Sequence, residues 1–228
     1  MYISGLQKLT LLDFPGRLAA TVFFGGCNFR CPFCHNASLV LIPGECEKIG
    51  EEEFFDFLTS RKGKLTGVCI TGGEPTLHPG LKDFIKRIKN MSFAVKLDTN
   101  GTNPELLLEL IEEGLVDYVA MDIKNAPAKY SVTAGVEVDM EKIERSVKLL
   151  LSGKVDYEFR TTVVRDFHSV EDFEAISEWI KGAKRYFLQT FEDSGDLIGS
   201  GFSAYSKEET EAILRVILPN VPNAQIRS

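Results

Sequence analysis

With 228 residues, 44% of them apolar and 26% charged, the chain has the length and composition of one substantial soluble domain. Its net charge of -7, from 26 basic against 33 acidic residues, argues against a nucleic-acid footprint, and no apolar run approaches the length of a membrane span. No basic segment followed by an apolar stretch marks an export signal, and five cysteines, three of them clustered, point to a reducing cytoplasm rather than a disulfide framework.

Residues 1–16 read as a lead-in that ends in the turn signal Phe14-Pro15-Gly16. Leu18–Phe24, apolar and rich in β-branched and aromatic side chains, is a first strand, and Gly25-Gly26 turns it into a loop, residues 25–36, that carries Cys27, Cys31 and Cys34. Glu51–Arg61 places Phe54, Phe55 and Leu58 on one helical face. Gly67–Thr71 is a second strand ending in Gly72-Gly73-Glu74-Pro75, and Leu81–Lys89 is a helix with Leu81, Phe84, Ile85 and Ile88 on its apolar side. Phe93–Leu97 is a third strand, ending in Asp98-Thr99-Asn100-Gly101. Pro104–Glu113 is a helix with proline near its first turn and Gly114 as its stop. Asp117–Met121 is a fourth strand, ending in Asp122-Ile123-Lys124. Met140–Leu151, Val170–Ile180 and Lys207–Leu218 are helices, and Tyr157–Val164 and Arg185–Thr190 are the fifth and sixth strands. Ser194–Ser203, rich in glycine and serine, reads as a mobile loop within a C-terminal segment, residues 192–218.

Six alternations of strand and helix call for a parallel sheet with helices outside, in one α/β domain over residues 1–228. Six units are too few for a closed eight-unit barrel, and a doubly wound open sheet also fits the pattern. In either architecture functional groups belong at the carboxyl ends of the strands. The distinctive glycine-rich and polar motifs fall there.

The C-x3-C-x2-C spacing of Cys27, Cys31 and Cys34 is the most informative feature. Three thiolates in one tight loop can hold three irons of a cubane cluster, leaving the fourth open to a substrate or cofactor, whereas four cysteines are the usual set. Two other readings are open. Cys31-Pro32-Phe33-Cys34 alone matches a thioredoxin-like redox pair, which leaves Cys27 unexplained. Alternatively the thiols bind zinc, with His35, Cys46 or Cys69 as fourth ligand. Cys69, inside an apolar strand, reads as a small core residue, and Cys46 has no assigned role.

The loop resembles the signature of the radical S-adenosylmethionine (radical SAM) enzymes, and the string from Asp13-Phe14-Pro15-Gly16 to Cys34-His35-Asn36 is similar to the start of glycyl-radical-enzyme activases, above all the activating proteins of anaerobic ribonucleoside-triphosphate reductase. The resemblance implies an open (β/α)6 partial TIM barrel and a [4Fe-4S] cluster on the three cysteines, with S-adenosylmethionine on the open iron. It also implies reductive cleavage of that cofactor to a 5′-deoxyadenosyl radical, which abstracts hydrogen from a glycine of the partner reductase. Flavodoxin or ferredoxin would donate the electron. Different classes stay open: a radical SAM enzyme acting on a small molecule, as 7-carboxy-7-deazaguanine synthases do, or a non-catalytic zinc or redox-thiol protein.

The same resemblance gives roles to the strand-end motifs. Gly72, Gly73 and Glu74 match the motif that hydrogen-bonds the cofactor's amino group, chiefly through backbone, with Glu74 as a further acceptor; a tight turn is the plainer reading. Two carboxylates on neighbouring strand tips, Asp98 and Asp122, repel unless a proton or cation intervenes. Pyruvate formate-lyase activases place a monovalent cation in a matching arrangement, here Asp98, Thr99, the Met121 carbonyl and Asp122, while Lys124 pairs with the cofactor carboxylate. Ordinary solvated charges are the alternative. Arg160 either points inward to cofactor or substrate or lies on the surface. Phe33 stacks on adenine or packs in the core, and the His35 backbone covers the adenine. Asn100-Gly101 reads chiefly as a turn. Gln189 stands where pyruvate formate-lyase activases carry a cofactor-contacting histidine, and an amide does not titrate. Asp13 aligns with an aspartate that seats the partner's glycyl loop. His78, before Pro79 near the start of a helix, reads as having no special role, and His168 lies in a connection with no motif around it.

Overall fold

The computed structural model describes residues 2–41 and 48–227, so Cys46 lies outside the described residues. The chain forms two compact units. The first comprises Met1–Asn28, Asn36–Thr99 and Asn103–Val119; the second comprises Phe29–His35, Asn100–Thr102 and Ala120–Ser228.

The first unit holds β1 (Tyr2–Ile3), β2 (Gly5–Thr10), β3 (Ala19–Phe24), α1 (Ala37–Leu41), β4 (Ile49–Gly50), α2 (Glu51–Ser60), β5 (Gly67–Gly72), α3 (Leu81–Asn90), β6 (Ala94–Thr99) and α4 (Pro104–Glu112). β3, β5 and β6 pair in parallel, and β2 adds an antiparallel strand on the far side of β3. Alternation along these strands separates two faces. Val22, Phe24, Val68, Ile70, Val95 and Leu97 are fully buried on one of them. Phe84 of α3 packs there, edge-on to Phe24 at 5.5 Å and stacked on Phe54 of α2 at 5.3 Å. On the other face the register aligns Thr21 with Cys69 and Cys69 with Lys96, all three buried. Proline in its first turn and Asn103, whose side chain accepts from the Leu106 N–H at 3.2 Å, start α4.

β7 (Tyr118–Asp122) begins in the first unit and ends in the second, which continues with α5 (Tyr130–Ala134), α6 (Met140–Leu151), β8 (Asp156–Val163), α7 (Val170–Trp179), β9 (Tyr186–Thr190), α8 (Lys207–Ile217) and β10 (Ala224–Arg227). There the order is β7-β8-β9-β10, with β8/β9 and β9/β10 parallel. Asp139 caps α6, and a reciprocal Ser206–Glu209 capping box starts α8.

All six expected strands and six expected helices form. The lead-in contains β1 and β2, two strands that the sequence pattern did not mark; β10 and the short helices α1 and α5 also form. Ser194–Ser203 is docked rather than loose. Gly199 N–H donates to the Pro32 carbonyl at 2.7 Å, and Phe202 packs against Phe167 at 5.4 Å and Phe191 at 6.4 Å.

Candidate functional site

In the first unit, Gly72-Gly73-Glu74 is folded against the residues that lead into Cys27. Gly73 N–H donates to the Phe24 carbonyl and Glu74 N–H to the Gly26 carbonyl, both at 2.8 Å. A Cβ on Gly73 would lie 1.9 Å from the Gly26 oxygen, so only glycine permits this approach. The Gly25 carbonyl is held by the His78 ring at 3.0 Å, and Asn36 Nδ2 donates to the Gly72 carbonyl at 3.4 Å. Both ends of the cysteine loop that lie in this unit are thereby tied to the glycine motif. His78, which the sequence left without a role, is one of the ties.

Glu74 corrects an expectation. It is fully buried, and its Oε1 accepts from Thr76 N–H at 3.1 Å, Thr76 Oγ1 at 2.5 Å and Thr99 Oγ1 at 2.8 Å. The carboxylate braces the turn and is closed to a ligand ammonium; Thr99 is likewise spent on this brace. Asp98 has a cationic partner of its own, the Nζ of Lys96, with the two side chains 12% and 2% exposed. Cys69 Sγ lies 3.8 Å from both Asp98 Oδ1 and Lys96 Nζ, so this thiol is buried as expected but in a polar row. Asp13 is half-buried and accepts from Thr21 Oγ1 at 2.5 Å.

In the second unit, Cys31 is buried and Cys34 half-buried, joined by a turn in which Cys34 N–H donates to the Cys31 carbonyl at 3.0 Å. Arg30 N–H donates to the Ala134 carbonyl at 2.8 Å. The next residue, Gly135, has φ +68°, and a Cβ there would meet the Arg30 oxygen at 2.2 Å. Phe33 is 5% exposed and packs with Val164, Phe167, Phe191 and Phe202, which decides for core rather than adenine. The His35 ring stacks on Phe191 at 5.7 Å, and burial lowers its pKa below 6.5 against the raising effect of the Glu192 backbone.

The strand ends carry a charged triad. Asp122 Oδ1 accepts from Arg160 Nε at 2.9 Å and its Oδ2 from Lys124 Nζ at 3.0 Å, which places Arg160 inward. Burial pushes the Asp122 carboxyl up, but Arg160 and Lys124 outweigh it and hold the group at about 2. Burial lowers the Lys124 pKa, and the charges of Asp122 and Cys31 overcome that to raise it well above normal. His168, unassigned from the sequence, fixes the Lys124 backbone: its Nε2 is 2.8 Å from the Lys124 carbonyl and its Nδ1 3.0 Å from that of Val164. Tyr130 donates to the Asp122 carbonyl at 3.3 Å. Met121 is buried with its side chain against Gly101 (φ +79°), where a Cβ would meet Met121 Cε at 2.1 Å; Asn100-Gly101 is the turn expected. Gln189 is half-buried near the end of β9, aligned with Thr162 and Arg227.

The premise for a monovalent cation also changes. Each carboxylate already has side-chain cations in its own unit, Lys96 for Asp98, and Lys124 with Arg160 for Asp122. The sequence held a signal for Lys96: a charged residue inside an otherwise apolar strand, two positions from Asp98 and therefore on its face.

The donor chemistry fits an iron–sulfur cluster, since soft thiolates are its usual ligands. Among the described residues no group of three or more His, Cys, Asp and Glu side chains is gathered for a metal ion, so the fit rests on donor type and loop order.

Parallel strands alternating with helices make this an α/β protein in class. Residues 21–180 match the family model of the radical SAM superfamily, and the chain belongs to that superfamily. It is 35% identical over 198 residues, 83% of this chain and 80% of the relative, to a Methanocaldococcus jannaschii protein named as a candidate glycyl-radical enzyme activating enzyme. It is 33% identical over 129 residues, 54% of this chain and 52% of the relative, to the pyruvate formate-lyase-activating enzyme of Clostridium pasteurianum. The crystal structure of Streptococcus suis SuiB bound to precursor peptide SuiA superposes with a TM-score of 0.70 at 13% identity, over 91% of this chain and 48% of that one. That likeness shows the fold, the α/β partial-barrel class expected from the sequence. Membership of the superfamily implies a [4Fe-4S] cluster and S-adenosylmethionine.

Proposed function

We propose that this chain is a glycyl-radical-enzyme activase, and that its partner is an anaerobic ribonucleotide reductase. The observation that carries the reading is the 35% identity, over 83% of the chain, to the Methanocaldococcus jannaschii relative with that named role. In this reading Cys27, Cys31 and Cys34 are the protein ligands of the cluster. When bound, cluster and S-adenosylmethionine supply a reductive one-electron cleavage that ends in hydrogen abstraction.

The chain's own residues bind and orient. The backbone of Gly72 and Gly73, held against Gly26, receives the cofactor's amino group, with Glu74 and Thr99 bracing that turn from behind. Lys124, its charge secured by Asp122, pairs with the cofactor carboxylate, and Arg160 keeps Asp122 ionised. Asp98, His35 backbone and Gln189 complete the contacts. Asp13, oriented by Thr21, seats the partner's glycyl loop. Flavodoxin or ferredoxin donates the electron. The monovalent cation drops out of the reading, because lysine and arginine already balance both carboxylates.

The test mixes reduced protein, S-adenosylmethionine and the anaerobic reductase of the same organism without oxygen. A glycyl doublet in the electron paramagnetic resonance spectrum, with 5′-deoxyadenosine in proportion, is the expected result. Cofactor cleavage without the doublet, for this reductase and other glycyl radical enzymes of the cell, would move the assignment to a small-molecule substrate.

A further inference from the structure

Lys96 is a buried charged residue of the first unit. Its side chain is 2% exposed, inside a parallel strand whose other buried members are apolar or small. An ammonium is not taken out of water without a paired, hydrogen-bonded partner. Here the pairing is complete on one face of the sheet. Asp98, two residues along β6, gives Oδ1 to the ammonium, and Cys69, directly across on β5, brings its sulfur to 3.8 Å from both. The pair is graded: Lys96 is sealed, while Asp98 is 12% exposed and is the member that reaches the strand's carboxyl end. A buried cation behind a partly open carboxylate does not serve the apolar core, which packs on the opposite face through Val95 and Leu97.

We propose that Lys96 is a positioning residue for the cofactor: its ammonium is the built-in counter-cation of Asp98, so that S-adenosylmethionine binds at this strand end without a monovalent metal ion. This rests on the reading of Asp98 as a cofactor contact. The physical basis is charge bookkeeping over a short distance. A carboxylate facing the cofactor's own carboxylate repels it unless a cation stands nearby. A fixed lysine supplies that cation with no dependence on ion concentration. It also holds Asp98 in one rotamer, since Lys96 and Asp98 are locked on the same face of one strand.

The experiment measures S-adenosylmethionine binding by equilibrium dialysis to the anaerobically reconstituted full chain, in potassium, sodium and choline chloride at equal ionic strength. The wild type is expected to bind equally in all three salts. Lys96→Met, which keeps the aliphatic stem and removes the charge, should bind about tenfold more weakly in choline, because Asp98 then meets the cofactor carboxylate without its counter-cation. Potassium or sodium should restore much of that affinity, with iron content and far-ultraviolet circular dichroism unchanged. A purely structural lysine would give a loss that no small cation repairs, and that outcome overturns the proposal, as does a variant that binds like wild type in choline. Wild-type binding that collapses in choline overturns it without any variant, which keeps the test decisive if Lys96→Met fails to fold. Absence of binding in every salt would instead strike the reading of the chain as an S-adenosylmethionine enzyme.

Discussion

Asp122 sits between opposing demands. Burial raises its pKa, and the two cations it touches bring it down to about 2 from an ordinary 3.8. A carboxyl lowered in the folded state stabilises the fold above its unfolded value and loses that contribution as pH falls through the folded one. Asp122→Asn should therefore cost about 2 kcal/mol at neutral pH, by leaving Arg160 and Lys124 facing a neutral amide. Urea unfolding should show the gap from wild type closing between pH 3.8 and about 2. A gap independent of pH would mean that the triad contributes packing and not charge. Burial lowers the His168 pKa below its usual 6.5, against the raising effect of the Lys124 and Val164 backbone. The cysteines divide in the same residue-by-residue way. Replacing Cys27, Cys31 or Cys34 by Ala should abolish iron and sulfide in anaerobically purified protein. Cys69→Ala should leave both unchanged, since its sulfur faces Asp98 and Lys96. Iron lost with Cys69 would make the three-ligand assignment wrong. The thiol spacing was legible in the sequence because the three residues sit within one loop. The roles of His78 and His168 were not, because each acts on a backbone carbonyl far away in sequence, Gly25 and Lys124 respectively.

At the scale of elements, the glycine turn after β5 and the run into Cys27 depend on each other. Gly73→Ala places a methyl 1.9 Å from the Gly26 oxygen, which is backbone and cannot rotate away. The turn must shift and both 2.8 Å bonds, Gly73 to Phe24 and Glu74 to Gly26, must lengthen. Cofactor affinity in dialysis is expected to fall about tenfold or more, the cost of one or two lost hydrogen bonds in a buried setting. Iron content should fall less, because the thiols themselves remain; affinity equal to wild type would show that the close approach has no part in binding. Some elements escaped the pattern. β2 buries only Thr10 fully and leaves Gln7, Lys8 and Leu9 exposed, so it lacks the apolar alternation that marks a strand. It forms because the hairpin brings Leu6 opposite Val22 and Gln7 opposite Thr21. The glycine- and serine-rich stretch Ser194–Ser203 shows the converse. Its composition signals a loose loop, yet Phe202 and Leu197 dock beside Phe33 and Phe191.

For the molecule as a whole, the second unit is closed at its C-terminal end by a long-range clamp. Arg227 of β10 reaches Glu158 of β8 with two bonds, 2.9 and 3.2 Å, and lies 3.6 Å over the Phe187 ring. Glu158 is 1% exposed, so Arg227→Ala removes two charge-assisted bonds from a buried carboxylate, at a cost of about 2 kcal/mol. The midpoint of urea unfolding should drop accordingly, and Glu158→Gln in the same chain should recover part of the loss. An unchanged midpoint would mean that β10 contributes nothing to the cooperative unit. The alternation of six strands and six helices, and with it the fold class, was determined by the sequence alone, because apolar periodicity is a local property set by which side each residue must bury. The thiol loop and the strand-end motifs were legible for the same reason. Tertiary structure alone decided which charges are paired. Lys96 with Asp98, Arg160 and Lys124 with Asp122, and Arg227 with Glu158 are set by strand register and by the depth at which each side chain lies, and desolvation then decides which of them must hold a partner.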